Sequence, residues 1–198
     1  MAVMAITFWF DPTCPFTWRT SRWVRDVAER RGEDVRWRFL SLAILNEGKD
    51  VPEQYRKHHA WSRGALRVLA ATDERHGQQA VDRLYTALGR RVHDKVADRG
   101  DDVIRAALGD ADLPAELADA AADSRYDAAV RASHDESQAR VGTESGSPVL
   151  AIDDGPGFFG PVVVPIPTGE DADRLFEALR LLSTVPAFSE LKRARNPL

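Results

Sequence analysis

Cys14 is the only cysteine among 198 residues and the one soft nucleophile the chain offers. It lies in Asp11-Pro12-Thr13-Cys14-Pro15, between the apolar run Ile6-Thr7-Phe8-Trp9-Phe10 and a stretch with helical spacing. Asp11-Pro12 breaks the run. Pro15 suits the first position of a helix, where a missing N–H is no loss. A thiol placed there faces backbone N–H groups without partners, which favour the thiolate and predict a lowered pKa. The thiolate is the form that attacks disulfides. The same local sequence also fits an inert, buried cysteine. A lone cysteine forms no intrachain disulfide, which excludes a disulfide-stapled scaffold, a cysteine-rich zinc module and a self-contained CxxC pair.

The remaining candidates for chemistry are weaker. His58 and His59 are adjacent in a helical segment and so point about 100° apart; no nearby cysteine, histidine or carboxylate completes a metal site. His76, His93 and His134 are scattered through helical segments and read as surface or satisfied core residues. Asp101-Asp102 reads as a helix start and Asp153-Asp154 as part of a turn. Gly155 and Gly157 flank that turn, the wrong context for a phosphate loop. With 27 basic and 31 acidic residues the net charge is −4, so charge gives no reason to expect a nucleic-acid partner. The basic run Lys192, Arg193 and Arg195 reads as a solvated tail. No apolar run is long enough to span a membrane, and the first residues lack the basic start of a signal peptide. The expectation is a cytoplasmic protein without a membrane or nucleic-acid partner.

The elements that must position Cys14 follow from periodicity. Val3 to Phe10 reads as a buried strand. Phe16, Trp23, Val24 and Val27 recur at helical steps, and Gly32 ends that helix. Residues 35–40 give a second strand. Strand, helix, strand predicts a parallel pair in an α/β sheet. Residues 50–142 read as almost entirely helical. Val81, Leu84, Leu88, Val92 and Val96 form one stripe. Pro114 starts another helix, with Leu113, Leu117 and Ala121 on one face, and a further helix from about Ser124 carries Tyr126, Val130 and Val141 roughly on one side. Residues 148–152, the turn 153–157, then Phe158, Phe159 and Val162 to Val164 predict a β-hairpin. Thr168 with Asp171 predicts a capped start for a last helix, which buries Leu175, Phe176, Leu179 and Leu182. The expected division is a sheet domain, 1–45 with 143–198, and an inserted helical subdomain, 46–142. The order is β-α-β, helical insertion, β-β-α, the thioredoxin-like order.

Asp11-Pro12-Thr13-Cys14-Pro15-Phe16-Thr17-Trp18 resembles the active-site turn of the DsbA-like branch of the thioredoxin superfamily, and Ser147-Pro148 resembles its cis-proline loop. FWFDPTCPFTW, Ser21-Arg22-Trp23, SLAILNEGKD with PEQYR, GSPVLAI, FFGPV and ELKRAR are similar in order and spacing to the actinobacterial mycothiol-dependent nitroreductase-like relatives. Together they cover most of the chain. The resemblance implies that Cys14 is the nucleophile and that Pro148 is a cis proline lying against it. It implies that Thr17 holds the place of the resolving cysteine. There the sequence departs from the dithiol pattern, which leaves monothiol chemistry. The resemblance further implies a thiol or acceptor pocket built from Pro15, Phe16, Trp18, Tyr55, Ser147 and Phe158, with no tightly bound cofactor. Mycothiol would be the thiol cosubstrate and a disulfide, nitroaromatic or quinone-like compound the acceptor. The resemblance also suggests a homodimer.

Two other readings stay open. DsbA-like folds with long helical insertions also resemble glutathione-using isomerases and kappa-type transferases, although the Cys14-Pro15 pair argues against these. A non-catalytic binding protein with a vestigial Cys14 is the third.

Overall fold

The computed structural model describes residues 5–95, 98–142 and 145–194; Val3, Val96, Arg195 and the boundary at 143 lie outside them. Strand β1 (Ala5–Phe10) leads into helix α1 (Pro15–Arg31), which returns the chain to β2 (Asp34–Phe39). β1 and β2 pair in parallel, Phe8 opposite Trp37 and Phe10 opposite Phe39. After the helices, β3 (Val149–Ile152) pairs antiparallel with β1, and β4 (Gly157–Phe159) antiparallel with β3. The sheet order is β2-β1-β3-β4. β1 and β3 are therefore central, and both deliver their ends to the same place: the end of β1 precedes Cys14, and the start of β3 follows Pro148.

Alternation along β1 divides the sheet into two faces. Ile6, Phe8 and Phe10 join Trp37, Phe39, Trp23, Val24, Val27 and Phe176 in the main core. Trp9 points the other way, into a small cluster with Leu40, Val149 and Ala151. Helix α1 opens with Pro15 at its first turn and ends where Gly32 turns left-handed at φ 68°, its N–H bonded to the Ala28 carbonyl.

The helical expectation for 50–142 is met in several pieces. After the short α2 (Leu42–Leu45), which precedes that range, they are α3 (Glu53–His76), α4 (Gln78–Gly89), a π turn over Arg90–Asp94, α5 (Asp101–Asp110), 3-10 stretches over Ala115–Ala122 and Ser124–Tyr126, and α6 (Asp127–Val141). Val81, Leu84, Leu88 and Val92 are buried on one stripe, as their spacing predicts. Pro114 opens a 3-10 run rather than an α-helix. Tyr126 and Val130 enter the main core, whereas Val141 packs against the Trp9 cluster, so the three do not share one side. α6 has crossed from one sheet face to the other by its end.

Two further expectations are corrected. The hairpin's second strand stops at Phe159, and Val162 to Val164 are irregular. Pro161 and Pro165 bracket them without N–H groups for a ladder. Helix α7 (Gly169–Ser183) does start after Thr168, but Thr168 makes no side-chain capping bond. Its Phe176 and Leu179 are buried as expected.

Candidate active site

The turn between β1 and α1 is built around Asp11, which is completely buried. Its Oδ1 accepts the Thr13 N–H at 2.8 Å, the Thr13 hydroxyl at 2.6 Å and the Ser62 hydroxyl at 2.8 Å, while Oδ2 accepts the Leu42 N–H at 2.8 Å. A buried carboxylate needs such partners. One side chain thus ties the turn to α2 and α3. The Cys14 N–H closes the turn onto the Asp11 carbonyl at 3.1 Å.

Cys14 is the N-cap of α1, with extended backbone angles and a side chain that makes no capping bond. Its sulfur is 3.7 Å from the Ser147 carbonyl oxygen. The Ser147–Pro148 peptide bond is cis. Thr17 Oγ1, fully buried, lies 2.6 Å from Ser147 Oγ, and Ser147 Oγ accepts the Asp11 N–H at 3.4 Å. One hydroxyl arrangement suits these contacts together: Asp11 N–H to Ser147, the Ser147 hydroxyl to Thr17, and the Thr17 hydroxyl toward the sulfur. The loop before β3 and the first turn of α1 are thereby joined through Thr17 and Ser147 rather than through a second sulfur.

The electrostatics depart from the expectation of a lowered thiol pKa. Burial is the largest influence on Cys14 and pushes its pKa above the ordinary value. The Thr17 hydroxyl and the N–H groups of Thr17 and Phe16 pull it down, and Asp11 adds a further push up. Removing a sulfur anion from water outweighs the donors at the helix start. At rest Cys14 is a neutral thiol whose S–H points to the Ser147 carbonyl.

The other residues expected at the pocket are placed as follows. Pro15 and Phe16 are half-buried at the start of α1. Trp18 is buried and belongs to the core. Its ring meets Tyr85 edge-on at 5.9 Å and stacks on His93 at 6.1 Å, with its Nε1–H donating to Asp94 at 2.8 Å. It seats against Gly89, where an added Cβ would come within 2.1 Å of the indole. Tyr55 is 49% exposed and meets His58. Phe158 lies opposite Leu150 and faces Phe188 at 6.0 Å. Neither Tyr55 nor Phe158 shares a hydrogen bond or ring contact with Cys14, Thr17 or Ser147.

Asp11, Ser62, His93 and Arg99 also stand around Cys14; the sequence points to Asp11 only as part of the resembling turn and to His93 only as a surface or satisfied core residue, and to Ser62 and Arg99 not at all. His93 Nε2 donates to the Pro12 carbonyl at 2.9 Å, two residues before Cys14. Burial lowers its pKa to about 4, so the ring is neutral at pH 7. Arg99 lies 3.3 Å from His58 Nε2, with a buried Nε that has no partner among the described residues. Asp11-x-Thr13 carries an Asx-turn signal that pointed to the first of these. For His93 and Arg99 no local signal exists.

A parallel β1-α1-β2 unit, an antiparallel β3-β4 pair, a thiol at the start of α1 and a cis proline against it define a thioredoxin-like fold of the DsbA kind, and the enzyme class is thiol oxidoreductase. The chain belongs to the Rv2466c-like family, described as mycothiol-dependent nitroreductase Rv2466c, whose model matches residues 13–193. It is similar to the uncharacterized protein Rv2286c of Mycobacterium tuberculosis (strain ATCC 25618 / H37Rv), 35% identical over 197 residues, covering 97% of this chain and 83% of that protein. Among solved structures, the "probable DsbA oxidoreductase SCO1869" of Streptomyces coelicolor is 20% identical with a TM-score of 0.64, covering 96% of this chain and 94% of that one. The cytosolic disulfide reductase DsbM of Pseudomonas aeruginosa is 18% identical with a TM-score of 0.61, covering 89% of this chain and 99% of that one. These two structures share the fold. No helix among the described residues is long and apolar enough to cross a membrane.

Proposed function

We propose that the protein is a monothiol reductase in which Cys14 works with mycothiol on a nitroaromatic, quinone-like or disulfide acceptor. The observation that carries this is Thr17. It stands one helical turn after Cys14, buried and bonded to Ser147, and the chain has no second thiol to resolve an adduct. Resolution therefore falls to an external thiol.

With a nitro acceptor, Cys14 and one mycothiol each give up a thiol hydrogen and one electron, forming a mixed disulfide between them. The nitro group takes the two electrons and two protons, becoming nitroso and releasing water. A second mycothiol thiolate attacks the mixed disulfide at the mycothiol sulfur. That step frees Cys14 and leaves mycothiol disulfide, so two thiols are oxidised per two-electron reduction. The protein's part is to hold the Cys14 sulfur at the helix start, to take its S–H at the Ser147 carbonyl, and to stabilise the thiolate through the Thr17 hydroxyl and the first-turn N–H groups. Ser147 and Pro148 present an extended backbone to the incoming thiol. Pro15, Phe16, Tyr55 and Phe158 contribute the mouth, with residues 46–142 as its cover. The reading places the enzyme in the cytoplasm and allows it to work as a homodimer. DsbM of Pseudomonas aeruginosa, a cytosolic reductase crystallised with GSH, supports a small thiol as partner for this fold.

Turnover of a nitroaromatic acceptor with mycothiol or glutathione as reductant tests the reading. Cys14→Ser should abolish turnover with either thiol. Thr17→Cys should let the mixed disulfide resolve into an internal disulfide with release of one mycothiol, so that intact mass shows no adduct and a chain lighter by two hydrogens. Full activity in Cys14→Ser would assign the chemistry to the bound thiol alone, as in an isomerase or transferase, and overturn the proposal.

A further inference from the structure

A cleft of about 500 Å³ is lined by Arg25 of α1, Arg83 and Thr86 of α4, Arg90 of the π turn, Lys95 after it, and Asp110 at the end of α5. Its size is that of an ordinary small-ligand site. Its charge is opposite to that of the chain. The whole protein carries −4, yet Arg25, Arg83, Arg90 and Lys95 line this cleft against Asp110 alone, with Arg22, Arg91, Asp82 and Asp94 close by.

Asp82 and Asp110 each hold one ion pair, and Asp82 keeps a buried Oδ1 without a partner among the described residues. Asp82 Oδ2 pairs with Arg25 at 3.0 Å, and Asp110 Oδ2 with Arg91 at 2.7 Å. Arg83, Arg90 and Lys95 make no ion pair among the described residues. Arg83 donates its Nε–H to the Ala111 carbonyl at 3.1 Å. Thr86 Oγ1 accepts from Arg22 at 3.1 Å and from Arg25 at 3.4 Å, so its own proton is left to donate. Arg22, stacked over Trp18 at 4.1 Å, keeps a buried Nη2 without a partner. Packing like charges together is unfavourable unless an anion joins them.

We propose that this cleft binds the diphosphate group of a small phosphorylated ligand. Guanidinium forks and an ammonium suit phosphate oxygens, the forks in bidentate fashion. Three cations without an ion pair match a group carrying several negative charges better than a single carboxylate. The site is separate from the redox chemistry at Cys14 and does not rest on it.

Calorimetric titration of the full-length protein with inorganic pyrophosphate, and separately with ADP, tests this at low salt. Saturable one-to-one binding of pyrophosphate, at least tenfold weakened by Arg90→Gln with Lys95→Gln and weakened by added salt, is the expected result. ADP binding at least tenfold tighter than pyrophosphate would assign the diphosphate to a nucleoside-borne ligand, and equal affinity to the free group. Both positions are exposed, so the double variant should keep the wild-type Tm and still form the Cys14 adduct. Absence of saturable heat with both probes, or binding unchanged in the folded double variant, would overturn the proposal.

Discussion

Replacing Thr17 by valine probes the link between the helix start and the cis-proline loop. Valine keeps the shape and removes the hydroxyl, at a position with no exposure. The 2.6 Å bond to Ser147 Oγ is lost, and the Ser147 hydroxyl keeps only the 3.4 Å contact from the Asp11 N–H. Leaving a buried hydroxyl without its main partner costs about 2 kcal/mol, which for a domain of this length lowers Tm by about 4–8 °C. The Thr17 hydroxyl also lowers the Cys14 pKa against the upward push of burial, so its removal should raise that pKa further. Alkylation rates of Cys14 followed against pH report the thiolate, and thermal unfolding reports stability. Thr17→Ser, which retains the hydroxyl, should restore most of the alkylation profile. An unchanged profile and an unchanged Tm in Thr17→Val would refute the role given to this hydroxyl.

Two further substitutions test the surroundings. Burial holds His93 at about 4 in the fold against an ordinary 6.5, so the unfolded chain takes up this proton first as the pH falls. Stability tied to the neutral ring is then complete above pH 6.5 and lost on the way down to pH 4, by about 3 kcal/mol. His93→Gln, which can still donate to Pro12, should flatten the pH dependence of urea unfolding by about that amount over this range; an unchanged slope would contradict it. Gly89→Ala would gain about 1 kcal/mol from helix propensity alone, but its Cβ would strike the Trp18 indole at 2.1 Å. A net loss of about 1–3 kcal/mol is expected from overpacking, and a stabilised variant would show that Trp18 does not sit there.

What the sequence made legible was local. The break at Asp11-Pro12, Pro15 at the helix start and Gly32 at its end placed Cys14 at the N-terminus of α1 through backbone rules that act within a few residues. The apolar run of β1, the second strand after the helix and their strand-helix-strand order predicted the parallel pair. What escaped depended on distance. The Asp11 network draws on Leu42 and Ser62, and the Pro12 carbonyl on His93, and no periodicity links these positions. The thiol pKa went the wrong way for a related reason: helix-terminus donors are visible in the local sequence, whereas the burial that outweighs them is a property of the assembled fold. Val141 shows the same limit, since helical spacing cannot say that α6 changes sheet faces along its length.

Under the proposed function, Cys14 acts as a single thiol resolved by an external one. Intact-mass measurement of the purified protein after exposure to oxidised mycothiol, with oxidised glutathione alongside, tests it directly. One mixed-disulfide adduct per chain is predicted, located at Cys14, forming faster as pH rises and removed by excess reduced thiol. A protein that takes up no adduct from either disulfide at any pH, or whose adduct resists excess thiol, would contradict it.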